Sequence, residues 1–230
     1  MNTLMRFPGA MNELSYVSRT AEELHRAGFA LNDTLVSVAT CRDELCRLLV
    51  DRIETTWGSS FDLSGLAGLP SGGVTGLTAA LHHRPDEDHR SNFVIYGFSH
   101  VGVDPNGDVG SFERPGMKTP STTCGSLAAA RGWLQTNGDL STLAIDTDPE
   151  QSRVVNHLAH HLDGDEPGDM IDMAVAAVRC IEDEIDRLVY AVKHEFADQS
   201  QRLAIFTGVQ IHTPSERLVW PSRSDAAVNV

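Results

Sequence analysis

The sequence predicts an α/β fold, a single domain with a central, mostly parallel sheet flanked by helices. Three observations favour it. Apolar runs of strand-like composition alternate with segments of helical periodicity along the chain. The chain has 230 residues, of which 41% are hydrophobic, so it can bury a large core without disulfide bonds. Finally, residue types that bind metals stand at two predicted strand ends, where α/β proteins collect their ligand sites.

Hydrophobic spacing places the individual elements. Strands are predicted at residues 34–40, 92–99, 202–211 and, more briefly, 217–220. Helices are predicted at residues 12–27, 43–56, 77–82, 126–134, 150–162 and 169–198. A glycine-rich loop is expected at 65–76 and one arm of a hairpin between the turns at 105–108 and 114–116. The single domain is expected to span 1–230, with an N-terminal helical region at 1–28 and a loose tail at 222–230.

Charge and apolar patterning restrict the partners. The formal net charge of −14 argues against nucleic acid and anionic membranes, because both select for Lys and Arg. No uninterrupted apolar run reaches transmembrane length, and residues 1–10 lack the features of a signal peptide. We therefore expect a cytoplasmic protein. There its four cysteines, at positions 41, 46, 124 and 180, would be reduced and available for metal binding or catalysis.

Cys41, His100 and Cys124 form the candidate metal set. Cys41 and His100 end predicted strands and Cys124 precedes a predicted helix, so all three are expected at one edge of the sheet. Zinc binds thiolate and imidazole, and a catalytic zinc site takes three protein ligands and one water. The absence of a Cys-x-x-Cys pair disfavours a structural zinc site. Taken singly, each residue has an ordinary interpretation, as a buried apolar Cys or a hydrogen-bonding His.

An ordered series of short motifs runs through most of the chain. The motifs are Cys41-Arg42-Asp43-Glu44, Gly65-Leu66-Ala67-Gly68, Gly76, His82-His83, Ser99-His100-Val101-Gly102, Cys124-Gly125 and Thr207-Gly208-Val209-Gln210-Ile211. This series resembles the limiting-CO2-inducible B/C protein family, also called the theta-class carbonic anhydrases. The resemblance extends from about residue 30 to residue 220 and is more specific than any one motif.

The resemblance implies a fold and a site similar to those of beta-class carbonic anhydrases. It implies Zn2+ held by Cys41, His100 and Cys124, with Asp43 and Arg42 as catalytic residues beside the metal. The implied activity is that of a lyase, the reversible hydration of CO2 to bicarbonate by zinc-bound hydroxide. The family commonly forms dimers, so a homodimer is expected as well.

The partner of Asp43 remains open at this point. Beta-class enzymes follow the pattern Cys-x-Asp-x-Arg, in which the Arg pairs with the Asp, whereas this chain has Leu45 at the last position. Arg42 is the preferred partner. The alternatives are Arg47, Arg90 and Arg114. Asp43 itself is expected either to orient the hydroxide or to bind zinc, and it also suits the first position of a helix.

Two further features have alternative interpretations. The backbone N–H of Gly125, at a helix start, is expected to bind bicarbonate, or the glycine merely permits a turn. His82 and His83 are candidate proton relays, or they are structural or exposed histidines.

Three rival functions remain. The main one is a non-catalytic or weakly active family member that binds CO2 or bicarbonate or acts as a scaffold. A zinc hydrolase of larger carbonyl compounds lacks an identifiable substrate-binding array, and a nucleotide-binding protein lacks the phosphate-binding motifs.

Overall fold

The computed structural model of the protein describes residues 3–85, 91–137, 147–162, 166–196 and 201–228. The strands in these residues are β1 (Met11–Asn12), β2 (Thr34–Ala39), β3 (Phe61–Asp62), β4 (Ser91–Gly102), β5 (Ser111–Phe112), β6 (Ser121–Thr122), β7 (Gln201–His212) and β8 (Arg217–Val228). The α-helices are α1 (Glu13–Arg26), α2 (Arg47–Trp57), α3 (Gly73–Leu81), α4 (Gly125–Asn137), α5 (Pro149–Leu162) and α6 (Met170–Ala191). Short 3-10 helices span Thr3–Arg6, Glu44–Cys46, Leu66–Gly68 and Lys193–Phe196.

The main sheet has six strands in the order β1-β8-β7-β4-β2-β3. Strands β3, β2, β4 and β7 run parallel to one another, whereas β8 is antiparallel to β7 and β1 is antiparallel to β8. β5 and β6 pair separately as a small antiparallel hairpin, which contains the arm expected between the two turns. The predicted fold class, a mostly parallel central sheet flanked by helices, is confirmed.

Helices cover both faces of the sheet. One face packs against α1 and α2, and the other packs against α3 to α6. Side chains alternate between the two layers along each strand, so Phe93 and Ile95 of β4 face α3 to α6, while Tyr96 and Phe98 face α1 and α2. His100 continues the second set and therefore faces the α1–α2 layer. Among the described residues, no helix combines the length and the apolarity that crossing a membrane requires.

The element boundaries near the predicted site differ from those expected. β4 does not end before His100 but continues to Gly102, because β7 pairs with it along its whole length. The helix expected from residue 43 begins as the 3-10 helix Glu44–Cys46, which is followed by α2. The expected glycine-rich loop contains a 3-10 helix, Leu66–Gly68, and its last residues already belong to α3.

The loose tail predicted at residues 222–230 is wrong for residues 222–228, which belong to β8. These residues pair with β7, with Leu203 opposite Val228 and Phe206 opposite Ser224. Their polar composition hid the strand, because hydrogen bonds to a buried neighbour hold it in the sheet without a continuous apolar pattern. Residues 229–230 lie outside the described residues. The helix predicted to reach residue 198 is too long, because α6 ends at Ala191 and the 3-10 helix Lys193–Phe196 follows it.

Candidate metal centre

The three predicted ligands come together at the carboxyl edge of the parallel strands. One donor atom from each of Cys41, His100 and Cys124 lies within 4.8 Å of the other two. The Sγ atoms of Cys41 and Cys124 are 3.9 Å apart, too far for a disulfide bond of about 2.05 Å. All three residues are buried, with exposed fractions of 7%, 0% and 1%. The group is therefore a closed cluster of two thiols and one imidazole.

Backbone geometry brings Cys124 to this cluster. The chain leaves β4 at Gly102 and returns so closely that a Cβ atom at Gly102 would lie 2.2 Å from Oγ1 of Thr123. The return is fixed by hydrogen bonds from the Gly110 N–H to the Gly102 carbonyl (2.8 Å) and from the Thr123 N–H to the Gly110 carbonyl (2.9 Å). Only glycine at position 102 allows this approach, which places Cys124 beside His100 at the start of α4.

Neighbouring hydrogen-bond donors shift the pKa values of the two thiols. The hydrogen bond from the Cys124 thiol lowers the pKa of Cys41 to about 4, and that same pairing raises the pKa of Cys124 well above its ordinary value. The backbone N–H of Asp43 also lowers the pKa of Cys41, and the N–H of Leu127, in the first turn of α4, lowers that of Cys124. The cluster thus provides one thiolate readily, and a second when a cation displaces the shared proton.

The cluster fits a metal ion. Neither ring nitrogen of His100 has a hydrogen-bond partner among the described residues, although the side chain is fully buried. An unpartnered buried imidazole is costly, and coordination of a metal would satisfy one of its nitrogens. Two sulfurs and one imidazole are the donor types that zinc prefers. These residues could therefore hold a zinc ion.

Asp43 is held at the edge of the cluster by two donors. Its Oδ1 atom accepts from the Leu45 N–H at 3.0 Å, which makes it the N-cap of the 3-10 helix. Its Oδ2 atom accepts from the Arg114 guanidinium at 2.7 Å. Burial raises the pKa of Asp43 more than Arg114 lowers it. Asp43 does not belong to the group of close donor atoms found within the described residues.

The preferred assignment of Arg42 as the partner of Asp43 is wrong. The Arg42 side chain bonds Glu150 at 3.0 Å, and Glu150 in turn accepts from the Leu66 N–H at 2.9 Å. Arg42 therefore ties the segment after β2 to the start of α5, and Glu150 links α5 to the glycine-rich segment. The partner is Arg114, one of the alternatives. It also donates to the carbonyls of Thr122 and Thr123, and these bonds hold its guanidinium beside Asp43. Residue 90 lies outside the described residues.

The other predicted site residues lie as follows. Gly125 is exposed, directly after Cys124, and a Cβ atom added there would meet nothing within 4 Å. His82 and His83 lie at the end of α3, where His83 is exposed and its ring contacts that of Phe61. A cleft of about 340 Å³ reaches Cys41 and Asp43 from the surface and also borders Arg42, Glu54 and Ser64.

Sequence reasoning missed His212, the last residue of β7. A second group of close donor atoms joins it to Cys46 and His100, and all three are buried. The sequence does contain a signal for His212, because it stands at the carboxyl end of a predicted parallel strand, as His100 does. The predicted strand ended one residue too early to include it.

Fold and site together define an α/β protein with a buried Cys-His-Cys cluster at the carboxyl edge of its sheet. A family model described as limiting CO2-inducible proteins B/C beta carbonic anhydrases matches residues 10–228. The chain belongs to this family, so the predicted resemblance is confirmed. A comparison with curated proteins found no significant match.

Solved structures agree with the family assignment. The structure of PtLCIB4, a homolog of the limiting CO2-inducible protein LCIB, is 25% identical, with 99% of this chain and 97% of that chain covered and a TM-score of 0.85. A histidine-to-alanine mutant of PtLCIB4 is 26% identical, with coverages of 99% and 95% and a TM-score of 0.87. The structure of LCIB itself is 26% identical, with coverages of 96% and 92% and a TM-score of 0.77.

Proposed function

We propose that the protein is a zinc-dependent carbonic anhydrase that catalyses the reversible hydration of CO2 to bicarbonate. The observation that carries the proposal is the buried cluster of Cys41, His100 and Cys124, with Asp43 held beside it by Arg114. The family description, which names beta carbonic anhydrases, supports the same activity. We further propose that it belongs to the theta class, as the resemblance described above implies.

Each residue has a proposed task. Zinc held in this cluster would supply Lewis-acid chemistry, which lowers the pKa of water. Cys41, His100 and Cys124 would hold the ion, and the two thiolates would neutralise its charge. Asp43 would accept a hydrogen bond from the water and direct its oxygen toward the carbon of CO2, while Arg114 keeps the carboxylate in place. The reaction would break one O–H bond of the water and one carbon–oxygen π bond of CO2 as the new carbon–oxygen bond forms, and the released proton would pass to solvent.

Gly125 and Arg42 have proposed roles at the edge of the site. The Gly125 N–H, at the start of the 13-residue helix α4, would face the bicarbonate anion. The cleft that reaches Cys41 and Asp43 would admit CO2. Arg42 borders this cleft as well and pairs with Glu150, so its proposed contribution is to hold the wall of the entrance rather than to bind Asp43.

Metal analysis combined with a rate measurement tests the proposal. We expect about one zinc ion per chain in the wild type and loss of most of it in Cys124→Ser. Cys180→Ser is the matched control, because Cys180 is also a buried cysteine but lies on α6, outside the cluster. Zinc retained by Cys124→Ser would refute the ligand set.

Stopped-flow CO2 hydration then separates the enzyme from its main rival. The zinc-loaded wild type should accelerate hydration above the buffer rate, and Cys124→Ser should not. A zinc-loaded protein with no rate above buffer at any pH would instead support a binding or scaffold role for CO2 or bicarbonate.

Two further proposals concern the assembly and the location of the protein. We propose a homodimer, for which light scattering should give about twice the chain mass of 25.0 kDa. We propose a cytoplasmic location, which fluorescence imaging of a tagged chain would test.

A further inference from the structure

His100 has a second set of buried neighbours besides Cys41 and Cys124. One nitrogen of His212 and the sulfur of Cys46 lie within 4.8 Å of a His100 nitrogen and of each other. The His100 and His212 rings are arranged edge to face, with centroids 5.4 Å apart and an interplanar angle of 71°. Both side chains are fully buried.

His212 has unused hydrogen-bonding capacity. Neither of its ring nitrogens has a hydrogen-bond partner among the described residues. A neutral imidazole keeps one unprotonated nitrogen, which can accept a hydrogen bond.

A metal-binding imidazole leaves one ring nitrogen free. That nitrogen carries a proton, and in metal sites it almost always donates to a neighbouring acceptor, which fixes the tautomer and the orientation of the ring. His100 has no such acceptor in hydrogen-bond contact among the described residues. The acceptor must come from the groups buried around it.

Two other buried groups are weaker candidates for this hydrogen-bond acceptor. The sulfur of Cys46 is a weak acceptor, and it already faces the Cys41 backbone N–H. Gln210 is directly opposite His100 in the β4–β7 register, and both amide atoms of its side chain lack partners among the described residues. Among the described residues no hydrogen bond joins its side chain to the His100 ring, however, whereas the His212 ring lies edge to face with that ring.

We propose that His212 is a positioning residue, which accepts a hydrogen bond from the His100 ring N–H, directly or through one buried water, and so fixes the nitrogen that His100 presents to the metal. The inference rests on the proposed zinc function. It assigns a role to the carboxyl end of β7, whose register with β4 brings His212 level with Gly102, two residues beyond His100.

Zinc affinity of the full-length protein tests this role without depending on activity. Competition with a chromophoric chelator should show zinc binding weakened about 10- to 100-fold in His212→Phe, which keeps a ring but removes the acceptor. His212→Gln, which restores an acceptor, should recover much of the affinity. Gln210→Leu is the matched control and should bind zinc as the wild type does. The absorption spectrum of the Co2+-loaded protein should change in His212→Phe only.

Two results would overturn the proposal about His212 while leaving the proposed zinc site of Cys41, His100 and Cys124 intact. One is wild-type affinity and an unchanged Co2+ spectrum in His212→Phe. The other is two zinc ions per wild-type chain with one lost in Cys46→Ala, which would make the Cys46-His100-His212 group a second metal site. A wild-type protein that binds no zinc would defeat the proposed function as well.

A measurement on the wild type covers the case in which His212→Phe does not fold. In zinc-loaded protein labelled with 15N-histidine, the ring nitrogens should show both His100 and His212 as neutral, each in a single tautomer. A doubly protonated His212 ring has no lone pair to accept a hydrogen bond and would refute the proposal.

Discussion

At the scale of single residues, the position of Asp43 depends on Arg114, which is distant in the chain, rather than on the arginine next to it. Its guanidinium bonds Asp43, Glu44, Ser121 and two backbone carbonyls, so one side chain connects the end of β2 to the segment that carries Cys124. Asp43 and Arg114 are 71 residues apart. An arginine suits this place because its planar group presents five donors in a fixed arrangement.

We predict that Arg114→Ala lowers kcat/KM for CO2 hydration about 10- to 100-fold, the usual effect of removing a partner that holds a residue at a metal site. Arg114→Lys should recover part of the loss, because it restores the charge but not the fork of donors. Arg223→Ala is the control, since Arg223 also pairs with two carboxylates, those of Asp186 and Asp225, away from the site. Equal rates for Arg114→Ala and the wild type would remove Arg114 from the mechanism.

At the scale of elements, the site forms where β2 and β4 end and α4 begins. The long pairing of β4 with β7 carries His100 and His212 to the same edge of the sheet. The hairpin of β5 and β6 then returns the chain to that edge at Cys124. The close contact of this return with β4 depends on Gly102, where any side chain would overlap Thr123 and the Ser111 carbonyl.

We predict that Gly102→Ala displaces Thr123 and with it Cys124. Forcing an extra methyl group into a packed contact typically costs about 1–3 kcal/mol, and zinc binding should weaken in addition. Gly132→Ala is the control, because Gly132 lies within α4 with open space around it and alanine favours a helix. Urea unfolding and chelator competition would measure the two effects. Unchanged zinc affinity in Gly102→Ala would show that the return segment adjusts without moving Cys124.

At the scale of the whole molecule, a buried carboxylate makes stability depend on pH. Glu13, the first residue of α1, is fully buried, and neither of its oxygens has a hydrogen-bond partner among the described residues. Burial raises its pKa from 4.5 to about 7, despite the nearby Arg52 and Arg217. Because the folded state holds this proton more tightly than the unfolded chain does, Glu13 favours folding at low pH and loses that effect as pH rises from 4.5 to about 7.

We predict that Glu13→Gln removes part of this pH dependence. The free energy of unfolding of the wild type should fall between pH 4.5 and pH 7 by up to about 3 kcal/mol from this group. The variant should lose less over the same interval and be more stable than the wild type at pH 8. Glu22→Gln, at an exposed site on the same helix, should follow the wild type. Parallel curves for Glu13→Gln and the wild type would contradict the raised pKa.

The sequence by itself determined the alternation of strands and helices, the α/β class and the family. Hydrophobic periodicity is local, and a series of motifs keeps its order whatever the tertiary structure, so both are readable along the chain. The three candidate ligands were also identifiable, because Cys41, His100 and Cys124 combine a suitable residue type with the boundary of an element and a place in the motif series.

Only the tertiary structure decided the residues that surround those ligands. The choice of Arg114 over Arg42 for Asp43 depends on where the β5–β6 hairpin returns. The nearness of His212 to His100 depends on the register of β7 against β4, and the pairing of residues 222–228 with β7 overrides their polar composition. In each case the deciding interaction joins residues far apart in the chain, and spacing along a sequence carries no information about such distances.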